Sequence, residues 1–260
     1  MYIHELSRMI EVAKKASKVI LDIYHNGFHV ETKDDDSPVT EADKKADELI
    51  REYLGKYFPT YSFLTEEHAD NLSRLDNDLV FIVDPLDGTK DFVCYDDEFT
   101  INIALAYKHK IVASVVAVPV YGFIYYALKG YGAYKLDLKT NEAKEIFVNN
   151  KTIDLTVLKS RYHSVKEEEE IFKKYSDKIK HVDVAGSAYK ACLIAEGKAE
   201  LSYRLSTGTK EWDTAAFDLL VTEAGGYVLS LDKTPMEYNR RNVQNDYYII
   251  VNNLKNWYFD

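Results

Sequence analysis

The chain has 260 residues, of which 46% are hydrophobic and 29% are charged, and its formal net charge is −10. This length and composition are typical of one large globular domain or two compact halves. The negative charge argues against binding of a nucleic-acid polymer by a basic surface. No apolar run approaches membrane-spanning length, so we expect no membrane partner.

Cysteine usage and the N-terminal residues bear on the compartment. The two cysteines, Cys94 and Cys192, provide neither a disulfide framework nor a metal-binding pair. The N-terminus lacks a basic region followed by an apolar core. We therefore expect a cytoplasmic protein, and the sequence leaves open whether it is a monomer or a homodimer.

Two helices are predicted at the start of the chain. Apolar residues recur at helical spacing over residues 4–26, which predicts an amphipathic helix. A polar loop over residues 33–43 leads into a second helix that ends near Tyr57. Thr40 and Asp43 match the Thr-x-x-Asp capping box. From the residues alone, structural capping is the favoured role of Asp43.

Carboxylates follow two predicted strands at the point where each strand ends. A short strand after Pro59 ends at Glu66, and a buried strand from Val80 stops at Asp84, with Asp87 in the following turn. Sites in open sheets lie at strand ends, and Mg²⁺ prefers hard oxygen ligands. These carboxylates can therefore converge on a metal. Ordinary turn and capping chemistry, or a solvated loop, would explain the same residues.

The residues after Asp87 favour an anion. Gly88 and Thr89 are predicted to form the first turn of a helix, whose unpaired backbone N–H groups and positive dipole end suit a phosphate. Metal ligands and a phosphate cradle would then share one loop.

The second part of the chain alternates between strands and helices. Residues 99–134 are typical of a β-meander, and the polar residues 141–151 are predicted to form a boundary between halves. The elements predicted beyond it are a strand at 155–159, a helix at 164–175, a strand at 181–184, a helix opened by Gly186, a strand at 199–205 and a helix at 211–226. Asp213 falls in the first turn of the last helix, where a carboxylate also complements the helix dipole.

Together these segments resemble the inositol-monophosphatase-like superfamily of magnesium-dependent, lithium-sensitive phosphatases. The three motifs appear in order along nearly the whole chain: Glu66-Glu67, then Asp84-Pro85-Leu86-Asp87-Gly88-Thr89, then Trp212-Asp213-Thr214-Ala215-Ala216 running on to Glu223-Ala224-Gly225-Gly226. The resemblance implies an α+β fold, the layered αβαβα sandwich, with a metal site between halves at 1–150 and 151–260.

The same resemblance implies a set of site residues. Two or three Mg²⁺ ions would be held by Glu66, Asp84, Asp87, Asp213 and the backbone carbonyl of Leu86. Glu66 also belongs to the catalytic residues that the resemblance implies, together with Asp43 and Thr89, which would orient the nucleophilic water. The amides of Gly88 and Thr89 would hold the phosphate.

A finer resemblance is to the 3'(2'),5'-bisphosphate nucleotidases, which convert 3'-phosphoadenosine 5'-phosphate to AMP and phosphate. The residues that carry it are Ser37-Pro38-Val39-Thr40-Glu41-Ala42-Asp43, Ser160-Arg161-Tyr162-His163, Gly186-Ser187-Ala188-Tyr189-Lys190 and Ala195-Glu196-Gly197-Lys198-Ala199-Glu200 with Arg204. By this resemblance His163, Ser187, Lys190 and Arg204 contact the nucleotide and its 5'-phosphate. Action on 3'-phosphoadenosine 5'-phosphosulfate is also implied.

One residue departs from the family pattern. Phe217 stands where the family usually has glycine, which bears on the shape of the substrate pocket. Two alternatives therefore stay open: hydrolysis of inositol monophosphate or fructose 1,6-bisphosphate at the same metal site, and a non-catalytic nucleotide- or metal-binding regulator.

Overall fold

The computed structural model describes residues 2–32 and 38–259. The α-helices within these ranges are α1 (Ile3–Asn26), α2 (Glu41–Tyr57), α3 (Thr89–Val93), α4 (Lys166–Lys174), α5 (Tyr189–Ala195) and α6 (Glu211–Glu223). The strands are β1 (Val30–Thr32), β2 (Pro38–Thr40), β3 (Ser62–Thr65), β4 (Leu79–Asp87), β5 (Thr100–Tyr107), β6 (Lys110–Val118), β7 (Phe123–Leu128), β8 (Ala133–Asp137), β9 (Glu142–Ile146), β10 (Leu155–Ser160), β11 (Ile179–Ala185), β12 (Leu201–Arg204), β13 (Tyr227–Ser230) and β14 (Tyr248–Val251).

The strands form two large sheets and a short hairpin of β1 with β2. One sheet has seven strands in the order β3-β4-β5-β6-β7-β8-β9, in which β3 and β4 are parallel and the other pairs are antiparallel. The other has the order β11-β10-β12-β14-β13, with β10 parallel to both neighbours and β14 antiparallel to both of its own. Both sheets are therefore mixed.

The helices and sheets stack in five layers, α, β, α, β and α. Helices α1 and α2 share an apolar core with one face of the seven-stranded sheet, to which Phe81 and Val83 of β4 contribute. Val80 and Ile82 point to the opposite face, where α5 and α6 pack between the two sheets. Helix α4 covers the far side of the five-stranded sheet through Phe172. The predicted αβαβα sandwich is confirmed.

The helices and strands follow from the spacing of apolar residues. Helix α1 buries Met9, Ala13, Ala16 and Ile20, which lie on one face of the helix. Each fully buried side chain of the Ile or Met type contributes about 1.5–3 kcal/mol. Strand β4 is buried on both faces, so its apolar residues run consecutively instead of alternating.

Three predictions about these elements need correction, and some strands were missed. Strand β4 does not stop at Asp84 but runs to Asp87, with a register irregularity between the two residues. The predicted boundary at 141–151 contains β9, a polar strand because it forms the exposed edge of its sheet. Helix α5 begins at Tyr189, after the turn that contains Gly186. Strands β13 and β14 were not predicted.

The division of the chain at residue 150 stays a prediction. The seven-stranded sheet ends at Ile146 and the other sheet begins at Leu155, yet α6 shares its core with strands of the first sheet. Residues 33–37, which include Ser37 of the nucleotidase motif and part of the predicted polar loop, lie outside the described residues. No helix in the described part of the chain combines the length and apolar character needed to cross a bilayer.

Candidate active site

A cavity of about 460 Å³ opens where β4, β10 and β11 end and where α3 and α6 begin. Its wall contains almost every site residue that the sequence predicted: Glu66, Asp84, Leu86, Asp87, Gly88, Thr89, His163, Ser187, Lys190, Arg204 and Asp213. Asp43 joins this set through a hydrogen bond from Thr89. Residues that are far apart in sequence therefore meet in one place.

Three carboxylates form the acidic end of the cavity. Asp84, Asp87 and Asp213 each offer one oxygen, and these oxygens lie within 4.8 Å of one another. Burial and the mutual repulsion of the carboxylates raise the pKa of Asp84 well above its usual value and that of Asp213 to about 8. Like charges at this spacing require a cation to be ionised together. The donor set, hard oxygens only, fits Mg²⁺.

The backbone holds two of these carboxylates in fixed orientations. Asp84 Oδ1 accepts a hydrogen bond from the amide of Leu86, within the irregular last part of β4 (3.1 Å). Asp213 Oδ2 accepts from the amide of Lys210, the residue before α6 (2.5 Å). One oxygen of each carboxylate is therefore held by a hydrogen bond from a backbone amide.

Asp87 connects the two sheets. Its Oδ2 accepts hydrogen bonds from the amide of Ala188 (2.7 Å), the side-chain amide of Asn102 (3.1 Å) and the hydroxyl of Thr100 (3.3 Å). Thr100 and Asn102 lie on β5, whereas Ala188 precedes α5. Asp87 is therefore positioned by residues from both halves of the fold.

Glu66 lies on the wall of the same cavity, half-buried after the end of β3. Its charge contributes, after burial, to the raised pKa values of Asp84 and Asp213. This electrostatic coupling brings Glu66 into the neighbourhood of the three-carboxylate group. Its role as a ligand stays a prediction.

Asp43 and Thr89 form a hydrogen-bonded pair beside the acidic cluster. Thr89 Oγ1 donates to Asp43 Oδ1 at 2.9 Å and lies 3.2 Å from the carbonyl of Leu86. Asp43 Oδ2 accepts from both the amide and the hydroxyl of Thr40 at 2.7 Å. The predicted capping box is confirmed, and the other oxygen of Asp43 faces the site.

Gly88 is required by the close packing of the loop between β4 and α3. Its φ is +87°, a backbone conformation that residues other than glycine rarely adopt. An added Cβ would lie 3.1 Å from the side chains of both Asp91 and Ser187. The loop therefore reaches its position only with glycine here.

The cavity wall also carries cationic side chains. Lys190 Nζ donates to the carbonyls of Ala185 (3.2 Å) and Ser187 (2.8 Å). The buried Nε of Arg204 has no hydrogen-bond partner among the described residues. Partial burial and the charges of Arg204, Lys90 and Lys190 lower the pKa of His163 below its usual value. An orphaned guanidinium N–H beside neutral imidazole is a site that an anion can satisfy.

Arg161, which the sequence analysis named within a motif but to which it assigned no contact, lines this cavity. Arg161 contacts the carboxylates of Asp91 (3.2 Å), Asp96 (3.5 Å) and Glu98 (2.5 Å). Arg161 therefore links the segment after β10 to the segment that follows α3. The hydroxyl hydrogen of Ser187 also has a partner within the protein, since it is donated to the carbonyl of Glu98.

Other residues in or beside the cavity also escaped the sequence analysis. Asn102, Thr100 and Lys210 hold the candidate ligands, and Tyr248 packs beside Phe217 with ring centroids 6.1 Å apart. A polar Thr-x-Asn pair on an otherwise apolar strand was the only sequence signal for the first two. Phe217 lines the cavity, so the departure from the family pattern falls within the pocket itself.

A five-layer α+β fold with an acidic cluster at strand ends, next to a Thr–Asp pair, defines the class of layered phosphatases with a carboxylate metal site. The chain belongs to the Inositol monophosphatase family, whose sequence signature matches residues 4–258. The resemblance inferred from the motifs is confirmed, as is the expectation of an enzyme.

Similar proteins carry a more specific name. The chain is 32% identical over 253 residues to the 3'(2'),5'-bisphosphate nucleotidase CysQ of Haemophilus influenzae, covering 95% of this chain and 93% of that protein. It is 36% identical over 240 residues to CysQ of Salmonella typhimurium, covering 89% and 95%. The crystal structure of CysQ from Bacteroides thetaiotaomicron, a bacterial member of the inositol monophosphatase family, superimposes with a TM-score of 0.82 at 32% identity, over 97% and 99% of the two chains.

Proposed function

We propose that the protein is a magnesium-dependent phosphatase that removes the 3'-phosphate of 3'-phosphoadenosine 5'-phosphate to give AMP and phosphate. The observation that carries the proposal is the unpartnered Nε of Arg204 on the wall of the same cavity that holds the acidic cluster. A substrate with two phosphates fits such a site, with one phosphate at the acidic cluster and the other at Arg204. The names of the CysQ relatives support the same substrate class.

The acidic end is the proposed place of the reaction. The candidate ligands are Glu66, Asp84, Asp87, Asp213 and the carbonyl of Leu86. Two or three Mg²⁺ ions held there would neutralise the carboxylates and act as Lewis acids on the phosphoryl group. The amides of Gly88 and Thr89 would bind the oxygens of the 3'-phosphate.

The proposed chemical role of the Thr89–Asp43 pair is to orient water. Because Thr89 gives its hydroxyl hydrogen to Asp43, its oxygen can accept a hydrogen bond from a water in the cavity. That water attacks phosphorus as the bond from phosphorus to the ribose 3'-oxygen breaks. Its proton passes to Thr89 Oγ1 while Thr89 passes its own proton to Asp43, and the leaving 3'-oxygen takes up a proton from a solvent water. Burial raises the pKa of Asp43, which makes its carboxylate a stronger base for the proton that the water gives up.

The cationic side chains of the cavity wall form the proposed site of the 5'-phosphate. Arg204 can bind a phosphate through two N–H groups. Lys190 adds a buried amine whose pKa burial lowers, and a bound phosphate would favour its charged form. His163 lies exposed at the mouth, and the lowered pKa keeps its ring neutral, so that it can both donate and accept hydrogen bonds to a nucleotide. Phe217 and Tyr248 supply an aromatic surface on the cavity wall.

Three finer expectations belong to the proposal. One is hydrolysis of 3'-phosphoadenosine 5'-phosphosulfate, which would place the enzyme in sulfur metabolism. A second is a cytoplasmic location. Millimolar lithium is expected to lower turnover when magnesium is limiting. Unchanged turnover under those conditions would remove lithium sensitivity from the proposal.

The test compares kcat/KM for 3'-phosphoadenosine 5'-phosphate, inositol 1-phosphate and fructose 1,6-bisphosphate at fixed Mg²⁺ concentration. We expect a large preference for the nucleotide. Lys190→Met should raise KM for the nucleotide about 10–100-fold, the effect of losing a hydrogen bond to a charged group, and leave hydrolysis of inositol 1-phosphate nearly unchanged. Lys198→Met, at an exposed lysine beyond the same helix, is the matched control.

Two results would contradict the substrate assignment. A preference for inositol 1-phosphate or fructose 1,6-bisphosphate would retain the phosphatase and reject the nucleotide. Absence of magnesium-dependent turnover on all three substrates, with nucleotide binding retained, would favour the non-catalytic regulator instead.

A further inference from the structure

A buried arginine joins the connection between β3 and β4 to the segment before β14. Arg74 lies in the 3₁₀ turn Ser73–Asp76, and only 1% of its surface is exposed. Its guanidinium donates to Asp70 Oδ2 (3.0 and 2.8 Å), to Asn239 Oδ1 (2.6 Å) and to the carbonyl of Arg240 (2.8 Å). All three guanidinium nitrogens therefore participate in fixed contacts.

A fully buried glutamate continues this network to α6. Glu211, the first residue of α6, is 0% exposed. Its Oε2 accepts from the amide of Asn239 (2.6 Å), and its Oε1 accepts from the amide and the Nε of Arg240 (2.9 and 3.1 Å). Asn239 and Arg240 thus contact Arg74 on one side and Glu211 on the other.

The network joins two segments of the chain, and each segment carries one candidate metal ligand. Glu66 lies in the same β3–β4 connection as Arg74, and Asp213 lies in the first helical turn with Glu211. Removing one member of a buried charged network leaves its partners uncompensated, which destabilises the arrangement that the network holds. A shift of either segment would alter the separation of the carboxylates.

We propose that Arg74, Asn239 and Glu211 are positioning residues that hold the Glu66 segment and the start of α6 at a fixed separation and thereby set the affinity for divalent cations. The inference rests on the metal site of the proposed function. None of the three residues lines the cavity wall as described, so they act through Glu66 and Asp213. Residues that orient metal ligands typically contribute 10–100-fold to metal affinity.

The experiment measures binding of Mn²⁺ alone to the full chain by electron paramagnetic resonance, without substrate. Arg74→Gln and Glu211→Gln should each raise the Kd for Mn²⁺ about 10–100-fold. The Kd of the double variant should be no higher than that of the weaker-binding single variant, because both substitutions break the same network. The kcat at saturating Mg²⁺ should stay within about threefold of wild type, since the reacting groups remain. Arg241→Gln, at an exposed arginine of the same segment, should bind Mn²⁺ like wild type.

Several outcomes would overturn the inference. Unchanged Kd values in both single variants, with a lowered Tm, would make the network purely structural, and additive losses would show that Arg74 and Glu211 act independently. If Arg74→Gln does not fold, Arg74→Lys replaces it. This variant should give a smaller rise in Kd, because lysine keeps the positive charge but lacks the three nitrogens of the guanidinium. Asp84→Asn separates the two proposals: if it binds Mn²⁺ like wild type, the proposed metal site itself is wrong.

Discussion

At the scale of single residues, Asp43 makes two sets of contacts, whereas the sequence could only present a cap and a site residue as alternatives. One oxygen caps α2 through Thr40, and the other accepts the hydroxyl hydrogen of Thr89. The cap fixes the direction of the carboxylate, because both Thr40 contacts go to the same oxygen. Capping therefore holds the second oxygen in place toward Thr89 and is compatible with a role in the reaction.

The first prediction concerns the hydroxyl of Thr89. Thr89→Val keeps the shape of the side chain but removes the oxygen that would orient water. We expect kcat to fall about 10²–10⁴-fold, the range for loss of a positioned proton-transfer group, while the Kd for Mn²⁺ changes only a few-fold. Steady-state kinetics at saturating Mg²⁺ and a metal titration measure the two effects.

Thr89→Ser is the matched control for this experiment, since serine retains the oxygen without the methyl group. It should keep most of the wild-type kcat. If Thr89→Val also retained activity within about tenfold, Thr89 and Asp43 would not be the pair that orients the water.

At the scale of elements, the local parts of the site could be predicted from the sequence. Asp84 and Asp87 follow a run of apolar residues and precede a glycine, so a strand end and a turn were evident. Thr40 and Asp43 are three residues apart, within one helical turn. Apolar periodicity likewise predicted α1, which the structure places at Ile3–Asn26.

The remaining contacts depend on pairing between distant elements. Asn102 reaches Asp87 only because β5 runs antiparallel to β4 in a register that shifts between Asp84 and Asp87. The amide of Ala188 carries no side-chain signal at all. Strand β9 is polar because solvent covers its outer edge, and polarity is the same signal that a loop gives. Tertiary register, which no local pattern encodes, supplies these features.

The second prediction concerns the packing of α6 against the segment before β14. Tyr238 Oη donates to Asp218 Oδ2 at 2.8 Å, and burial raises the pKa of Asp218 to about 7. The unfolded chain has a pKa near 3.9 at this residue. Between about pH 4 and pH 7 the folded state binds the proton more tightly, so folding stability falls as the pH rises through this window.

Asp218→Asn removes this titration and can still accept the hydrogen bond from Tyr238. Between pH 5 and pH 8, wild type should lose about 2.6 kcal/mol more stability than the variant, or roughly 5–10 °C more in Tm. Thermal unfolding in chelator-containing buffer measures both proteins under the same conditions. Parallel Tm curves for the two proteins would show that Asp218 does not titrate in this range.

At the scale of the whole molecule, the fold concentrates negative charge where two sheets meet. The chain already carries a net charge of −10, and Asp84, Asp87 and Asp213 are brought within 4.8 Å of one another. Folding without a cation must either protonate these carboxylates or accept their repulsion. The raised pKa of Asp213, about 8, indicates protonation. Stability of the whole chain should therefore depend on divalent cations.

The third prediction is that Mg²⁺ stabilises the folded protein and does so more strongly at higher pH. The folded chain holds more protons than the unfolded chain between about pH 4 and pH 8, so the metal-free Tm should fall across this range. Mg²⁺ binds the ionised carboxylates, and a concentration of about 100 times its Kd adds about 2.7 kcal/mol to the free energy of unfolding, or roughly 5–10 °C in Tm.

Thermal unfolding with Mg²⁺ and with chelator, at pH 6 and pH 8, gives the comparison. The gain should be larger at pH 8, where fewer protons compete with the metal. Asp84→Asn should lose most of this gain, whereas an equal gain in wild type and Asp84→Asn would place the stabilising ion elsewhere.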